Sequence, residues 1–262
     1  MGWVLGGDGS FLPTGCANHG DPEPSVNPEN VTLYDMQFCP YCQRVRYTLD
    51  YHKIPYDRIL IDLMSKPSWY LKMYPVGKVP LLLYRGKTMA ESDVIMKYCD
   101  QMKGAKASLL SVCGEEGFKR ALNLTSSVSL LLIALLRYKL LFSPDVTRAD
   151  ADSLKAALSN LDKAIQGPYL MDLLPFLTFE GKELSLADLA LFPFLHAWDL
   201  LISRLKDVGD DSDESAEPVA PRWPNVLKYC QLMNQKPFIM KTAFRDDEFS
   251  KYMDTRLQAA RP

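Results

Sequence analysis

The sequence predicts a mixed α/β unit followed by an all-helical domain. Three observations carry this. Across residues 31–101, short β-prone runs alternate with helix-like stretches in the order β-α-β-α-β-β-α, the pattern of a compact α/β unit. Beyond a break at 103–114 only helical periodicity remains, as in Leu154, Leu158, Leu161 and Ile165. The chain has 262 residues, which suits two small domains. It is 47% apolar and 24% charged, which excludes a disordered tail protein or a collagen-like fibre.

The elements follow in order. Residues 1–29 are rich in Gly, Pro, Asn and Asp, lack periodicity, and read as a mostly irregular leader. Residues 30–104 hold the α/β unit. A β-prone run at 31–34 leads directly into Phe38-Cys39-Pro40-Tyr41-Cys42, and 43–52 reads as a helix with apolar Val45, Leu49 and Tyr51. A second strand is expected at 56–61. Ser65-Lys66-Pro67 is expected to open a short helix with Ser65 as its cap, and Pro75 to close it. Residues 79–84 and 87–89 read as a hairpin turning at Arg85-Gly86, and a helix follows Glu91-Ser92. Residues 105–113 form a linker and 114–262 the helical domain. There, 115–142 reads as one long or kinked helix, and Ser185 to Asp188 resembles a capping box. Segment 206–217 carries six acidic residues and reads as an exposed loop; helices are expected at 225–235 and 247–256.

Composition narrows the function. Thirty basic and 32 acidic side chains leave a net charge of −2, which argues against nucleic acid as the main partner. Six cysteines are too few and too scattered for a disulfide scaffold. The first basic residue is Arg44, so the start of the chain lacks the basic, apolar pattern of a secretory signal. The most apolar run, 128–136, is far shorter than the ~20 residues a membrane span needs. A cytoplasmic setting with reduced thiols is expected, and no membrane partner.

Three local patterns carry chemistry. Cys39-Pro-Tyr-Cys42 falls where a strand meets a helix, so Cys39 would sit at the helix N-terminus. Unpaired N–H groups and the helix dipole favour a thiolate there, the reactive form in disulfide exchange. Cys42 lies one turn on, within reach of a mixed disulfide at Cys39. Zinc is disfavoured, and no metal is expected, because the other cysteines and the three histidines offer no second half-site. Val79-Pro80 sits at a strand start and admits either a cis or a trans bond. Glu91-Ser92 at a helix start is either a carboxylate-binding corner or a simple cap.

Together these features resemble a glutathione transferase over residues 30–255, and within that superfamily the omega class. Phe38-Cys39-Pro40, Ser65-Lys66-Pro67-Ser68-Trp69, the Val79-Pro80 strand, Glu91-Ser92, the Ser185 to Asp188 box and the N-terminal extension carry the likeness. The resemblance implies a thioredoxin-like N-terminal domain and an all-α C-terminal domain. It implies glutathione as co-substrate and Cys39 as the nucleophile that forms a mixed disulfide with it. Lys66 would pair with the glycyl carboxylate, Val79 would hold the cysteinyl portion beside Pro80, Glu91 and Ser92 would fix the γ-glutamyl end, and Tyr41 and Leu63 would line the site. Phe194, Trp198 and Phe249 would line a pocket for a small disulfide or electrophilic second substrate. The activity implied is thiol transfer and reduction, including deglutathionylation and dehydroascorbate reduction, by a homodimer.

The chain departs from the omega pattern at Cys42, which makes the motif resemble a glutaredoxin dithiol centre; Cys42 is either a resolving thiol or inert. It also carries Ala197 where some omega members place Arg. Two other readings remain open from sequence: a chloride intracellular channel-like protein, or a binding protein that kept the fold without turnover.

Overall fold

The computed structural model describes residues 3–5, 11–13, 16–123, 133–172, 179–181, 183–208 and 222–259. The chain divides into two compact units, residues 1–107 with 241–244, and residues 108–240 with 245–262.

The first unit is built on β4 (Val31–Asp35), every residue of which is buried. It pairs in parallel with β5 (Tyr56–Ile61) and antiparallel with β6 (Leu81–Tyr84). β7 (Lys87–Ala90) extends the sheet from β6. Arg85 and Gly86 both have positive φ, 50° and 70°, as a two-residue hairpin turn demands. The sheet order is β3-β5-β4-β6-β7. Strand alternation divides the core between the two faces. Val31, Leu33 and Leu82 pack with Val45 and Leu49 of α1 (Pro40–Tyr51) and Ile95 of α3 (Ser92–Gln101). Tyr34, Ile61 and Leu81 pack with Trp69 and Tyr70 of α2 (Ser68–Met73).

One expectation is refined here and another changes. The leader is not wholly irregular. β1 (Trp3–Leu5) pairs with β2 (Phe11–Pro13), and β3 (Cys16–Ala17) runs parallel to Leu60–Ile61 at the sheet edge. Strands of two or three residues are too short to show a sequence period. Ser65 does not cap α2; Pro67 does, with φ −60° and ψ 140°. The residue before a proline is pushed out of the helical region, which keeps Lys66 outside the helix, and Pro67 itself stays extended. The same rule ends it: Tyr74, before Pro75, is extended at φ −140° and ψ 89°.

Residues 241–244 pack into this unit from late in the chain. Phe244 meets Phe38 edge-on with ring centroids 5.2 Å apart, and Lys241 pairs with the buried Asp50 carboxylate of α1.

The second unit is mostly helical. It comprises α4 (Leu110–Asn123), α5 (Ile133–Phe142), α6 (Arg148–Ala164), α7 (Leu186–Leu191), α8 (Trp198–Val208), α9 (Pro224–Asn234), α10 (Pro237–Met240) and α11 (Asp246–Ala259). It is not purely helical: β8 (Tyr169–Asp172) and β9 (Phe179–Gly181) form an antiparallel pair. The expected capping box is present at the start of α7 and also ties down β8. Asp188 accepts from the Ser185 N–H at 2.8 Å and from the Leu170 N–H at 2.8 Å, and the Ser185 hydroxyl donates to the Leu170 carbonyl. The helix expected across 115–142 is represented by α4 and α5, and its middle, 124–132, lies outside the described residues. Of the acidic segment 206–217, residues 206–208 end α8 and the rest lies outside the described residues. Among the described residues no single helix is long and apolar enough to cross a membrane.

Beneath the end of β4, Asp35 is fully buried. Arg46 of α1 donates to both its carboxylate oxygens, at 2.7 and 2.8 Å, and Arg58 of β5 donates at 2.7 Å. Burial pushes the Asp35 carboxyl up, but the two guanidiniums more than offset this and hold it below its ordinary range. Arg46→Ala is therefore expected to lower the unfolding free energy in urea by about 3 kcal/mol, because it removes the fully buried member of the two cations that compensate a buried carboxylate and leaves Arg58 alone to do so. The Asp35 contribution is present above the ordinary carboxylate range, near pH 4, and fades as pH falls below it. A urea midpoint unchanged by Arg46→Ala at pH 7 would contradict this role.

Candidate active site

The loop from Asp35 to Cys39 is tied from beneath. Arg46 donates to the Gln37 carbonyl at 2.8 Å, Arg58 donates to the Gln37 side-chain carbonyl at 2.9 Å, and the Met36 N–H donates to Asp35 at 2.7 Å. Cys39 closes the loop through its N–H to the Met36 carbonyl at 3.1 Å. It then caps α1 in extended geometry, φ −73° and ψ 119°, with Pro40 in the first turn. Pro40 has no N–H, so the N–H groups that reach the Cys39 sulfur are those of Tyr41 and Cys42.

The two thiols are unequal. Cys39 is half-buried and Cys42 is fully buried, at 0% exposure. The Cys42 thiol donates to Cys39 and, helped by the Cys42 and Tyr41 N–H groups, holds the Cys39 thiol below its ordinary pKa; burial and the Asp35 carboxylate oppose the shift. Burial pushes the Cys42 thiol well up, and the neighbouring Cys39 adds to this. The two shifts run in opposite directions, which favours the thiolate at Cys39 over Cys42. Cys16, the other half-buried cysteine, does not compete: burial and then Asp62 push it up to about 12.

Cys39 opens into a cleft of about 490 Å³ formed by the first unit. All the residues expected around a glutathione-sized ligand lie on its walls: Tyr41 beside Cys39, Leu63 and Lys66 after β5, Val79 and Pro80 before β6, and Glu91 and Ser92 before and at the start of α3. The Val79-Pro80 bond, open in sequence, is cis. The Tyr70 hydroxyl donates to the Lys78 carbonyl at 2.6 Å and fixes the turn that delivers it. Glu91 lies in the left-handed region at φ 67°, a costly position for a residue with a side chain and one that concentrates at binding sites.

Sequence reasoning missed three wall residues, Tyr74, Gly77 and Lys78. Gly77 carried a usable signal, a glycine two residues before the Val79-Pro80 step. It has φ 63°, and a Cβ there would come within 2.8 Å of Leu71 Cδ2 and 3.4 Å of Lys66 Nζ. Only glycine leaves the Lys66 chain its present path.

The expected second-substrate residues belong to the second unit. Phe194, Trp198 and Phe249 are buried in the helical unit. Trp198 meets Trp223 edge-on at 6.1 Å, and Phe249 packs on Phe142 at 5.9 Å and under Arg137 at 5.6 Å. Large aromatic rings on amphipathic helices fill the core first. Among the described residues no group of three or more His, Cys, Asp or Glu is placed to hold a metal.

Comparison with known proteins agrees with this geometry. A family profile described as "Glutathione S-transferase, N-terminal domain" matches residues 33–107. The chain is 31% identical over 213 residues to the probable chloroplastic glutathione S-transferase DHAR2 of Oryza sativa subsp. japonica, covering 81% of this chain and 64% of that protein. It is 30% identical over 173 residues to glutathione S-transferase DHAR2 of Arabidopsis thaliana, covering 64% of this chain and 71% of that one. The chain therefore spans just under two thirds of the rice relative's length. The crystal structure of glutathione transferase Omega 1C from Trametes versicolor superposes with a TM-score of 0.66 at 21% identity, over 90% of this chain and 99% of that one.

The thiol arrangement predicts a pH profile. Iodoacetamide alkylation of Cys39, followed by peptide mass spectrometry, is expected to show a midpoint below the ordinary thiol value of about 8.5. Cys42→Ala removes the main donor, so the midpoint should rise; an unmoved midpoint would remove Cys42 from the explanation. Gly77→Ala is expected to weaken glutathione binding by about tenfold in calorimetry, through displacement of Lys66 and the strained φ.

Proposed function

From the premise that this chain belongs to the glutathione S-transferase family, we propose that it is an omega-type, glutathione-dependent thiol transferase and reductase with Cys39 as nucleophile. The observation that carries the reading is the position of Cys39. A half-buried thiol with a lowered pKa opens into the same cleft as Lys66, Val79 and the Glu91-Ser92 corner.

An extended anionic tripeptide fits those walls in one direction. Lys66 receives the glycyl carboxylate, the Val79 backbone beside the cis Pro80 runs along the cysteinyl residue as an added strand, and Glu91 and Ser92 take the γ-glutamyl end. Tyr41 and Leu63 enclose the ligand.

In deglutathionylation the Cys39 thiolate attacks the glutathione sulfur of a mixed disulfide. A Cys39–glutathione disulfide forms and the substrate thiolate leaves. A second glutathione thiolate attacks the glutathione sulfur on Cys39, giving oxidised glutathione and restoring the Cys39 thiolate. With dehydroascorbate as acceptor, two glutathiones supply the two electrons and two protons, and oxidised glutathione is the co-product. Cys42 stays protonated and acts as a hydrogen-bond donor, so the route is monothiol. The setting is cytoplasmic and the assembly a homodimer.

In a glutathione-coupled mixed-disulfide assay, Cys39→Ala is expected to abolish turnover, while Cys42→Ala retains much of it. Undiminished turnover in Cys39→Ala would refute the nucleophile. After treatment with oxidised glutathione, an adduct on Cys39 is expected; an internal Cys39–Cys42 link as the end product would replace the monothiol route with a dithiol one.

A further inference from the structure

Arg44 lies on α1, five residues after Cys39. It is only 4% exposed. Its Nη1 donates to the Ser92 hydroxyl oxygen at 3.2 Å, and its guanidinium sits 5.3 Å from the centre of the Tyr41 ring. Ser92 and Tyr41 both line the cleft; Arg44 stands behind them.

The direction of that bond matters. A guanidinium has donors and no acceptor, so the proton in the Arg44–Ser92 bond belongs to Arg44. The serine oxygen is thereby committed as acceptor on its inner side, and its single O–H is free to turn toward the cleft. Ser92 is also the first residue of α3, where unpaired N–H groups favour a carboxylate. A buried cation immediately behind that corner adds to its preference for an anion. Burial pulls the Arg44 pKa down only to about 10, so it remains charged at neutral pH.

We propose that Arg44 is a positioning residue that aims the Ser92 hydroxyl at the α-carboxylate of a γ-glutamyl group, and so makes the enzyme selective for γ-glutamyl thiols. The proposal rests on the glutathione reading above. Arg44 touches no ligand itself; it acts through Ser92.

The test compares two disulfides as probes: oxidised glutathione, and the disulfide of cysteinylglycine, which lacks the γ-glutamyl group. In each case the Cys39 thiolate attacks one sulfur, a Cys39–S bond forms and one thiol equivalent leaves. The rate of adduct formation at Cys39 is followed by mass spectrometry. Arg44→Gln is expected to slow the reaction with oxidised glutathione about tenfold, as expected for loss of a charge-assisted bond, and to leave the cysteinylglycine disulfide unaffected. Arg44→Lys should recover much of the loss. The double variant Arg44→Gln/Ser92→Ala should be no slower than the slower single variant. Equal losses for both disulfides, or losses that multiply in the double variant, would overturn the role of Arg44. If Arg44→Gln does not fold, Arg44→Met takes its place in the same cycle, judged by the same criteria. A wild-type protein that forms an adduct from neither disulfide would overturn the glutathione reading and this proposal with it.

Discussion

The site depends on one buried carboxylate. Asp35 ends the central strand, and Arg46 from α1 and Arg58 from β5 converge on it. A lone buried charge is not tolerated, so strand, helix and neighbouring strand must meet at that point together. Both arginines also reach Gln37, so the loop that carries Cys39 inherits their position. The same carboxylate opposes ionisation of both cysteines. At Cys39 the donors of Cys42 and Tyr41 pull the other way and hold its thiol below the ordinary value. The inequality of the two thiols therefore follows from their surroundings, since the residue type is the same.

The cleft is assembled where elements of the first unit begin and end. Cys39 caps α1, Ser92 starts α3, and the turn through Gly77, Lys78 and Val79 precedes β6. Backbone groups left unpaired at such places are available to an extended peptide-like ligand. The conformations involved are uncommon ones: Gly77 at φ 63°, Glu91 at φ 67°, and a cis bond before Pro80. Of these only Glu91 is strained, since glycine adopts positive φ freely; the Tyr70 hydroxyl, which donates to the Lys78 carbonyl, helps to fix the turn before β6.

Much of this was legible in the sequence. Every glutathione-site residue from Cys39 to Ser92 that local patterns and family resemblance pointed to lies on one cleft. What was not legible falls into two kinds. Short elements carry no period, which hid β3 and the β8–β9 pair. Close approaches between distant residues leave little local trace, which hid the roles of Tyr74 and Lys78. The burial of Phe194, Trp198 and Phe249 within the second unit was not legible for a related reason. A core ring and a pocket ring have the same spacing along a helix, and only packing separates them.

The sequence by itself determined the order of elements, the strand-to-helix placement of Cys39-Pro-Tyr-Cys42, and the helical character of the second half. These depend on periodicity, proline and capping, all of which act over a few residues. The tertiary structure decided how the surroundings of the two thiols differ, that Val79-Pro80 is cis, and that Arg44 stands behind Ser92 although 48 positions separate them. Burial, charge pairing and hydrogen-bond direction are properties of neighbours in space, and those neighbours exist only once the sheet has brought α1 and α3 together.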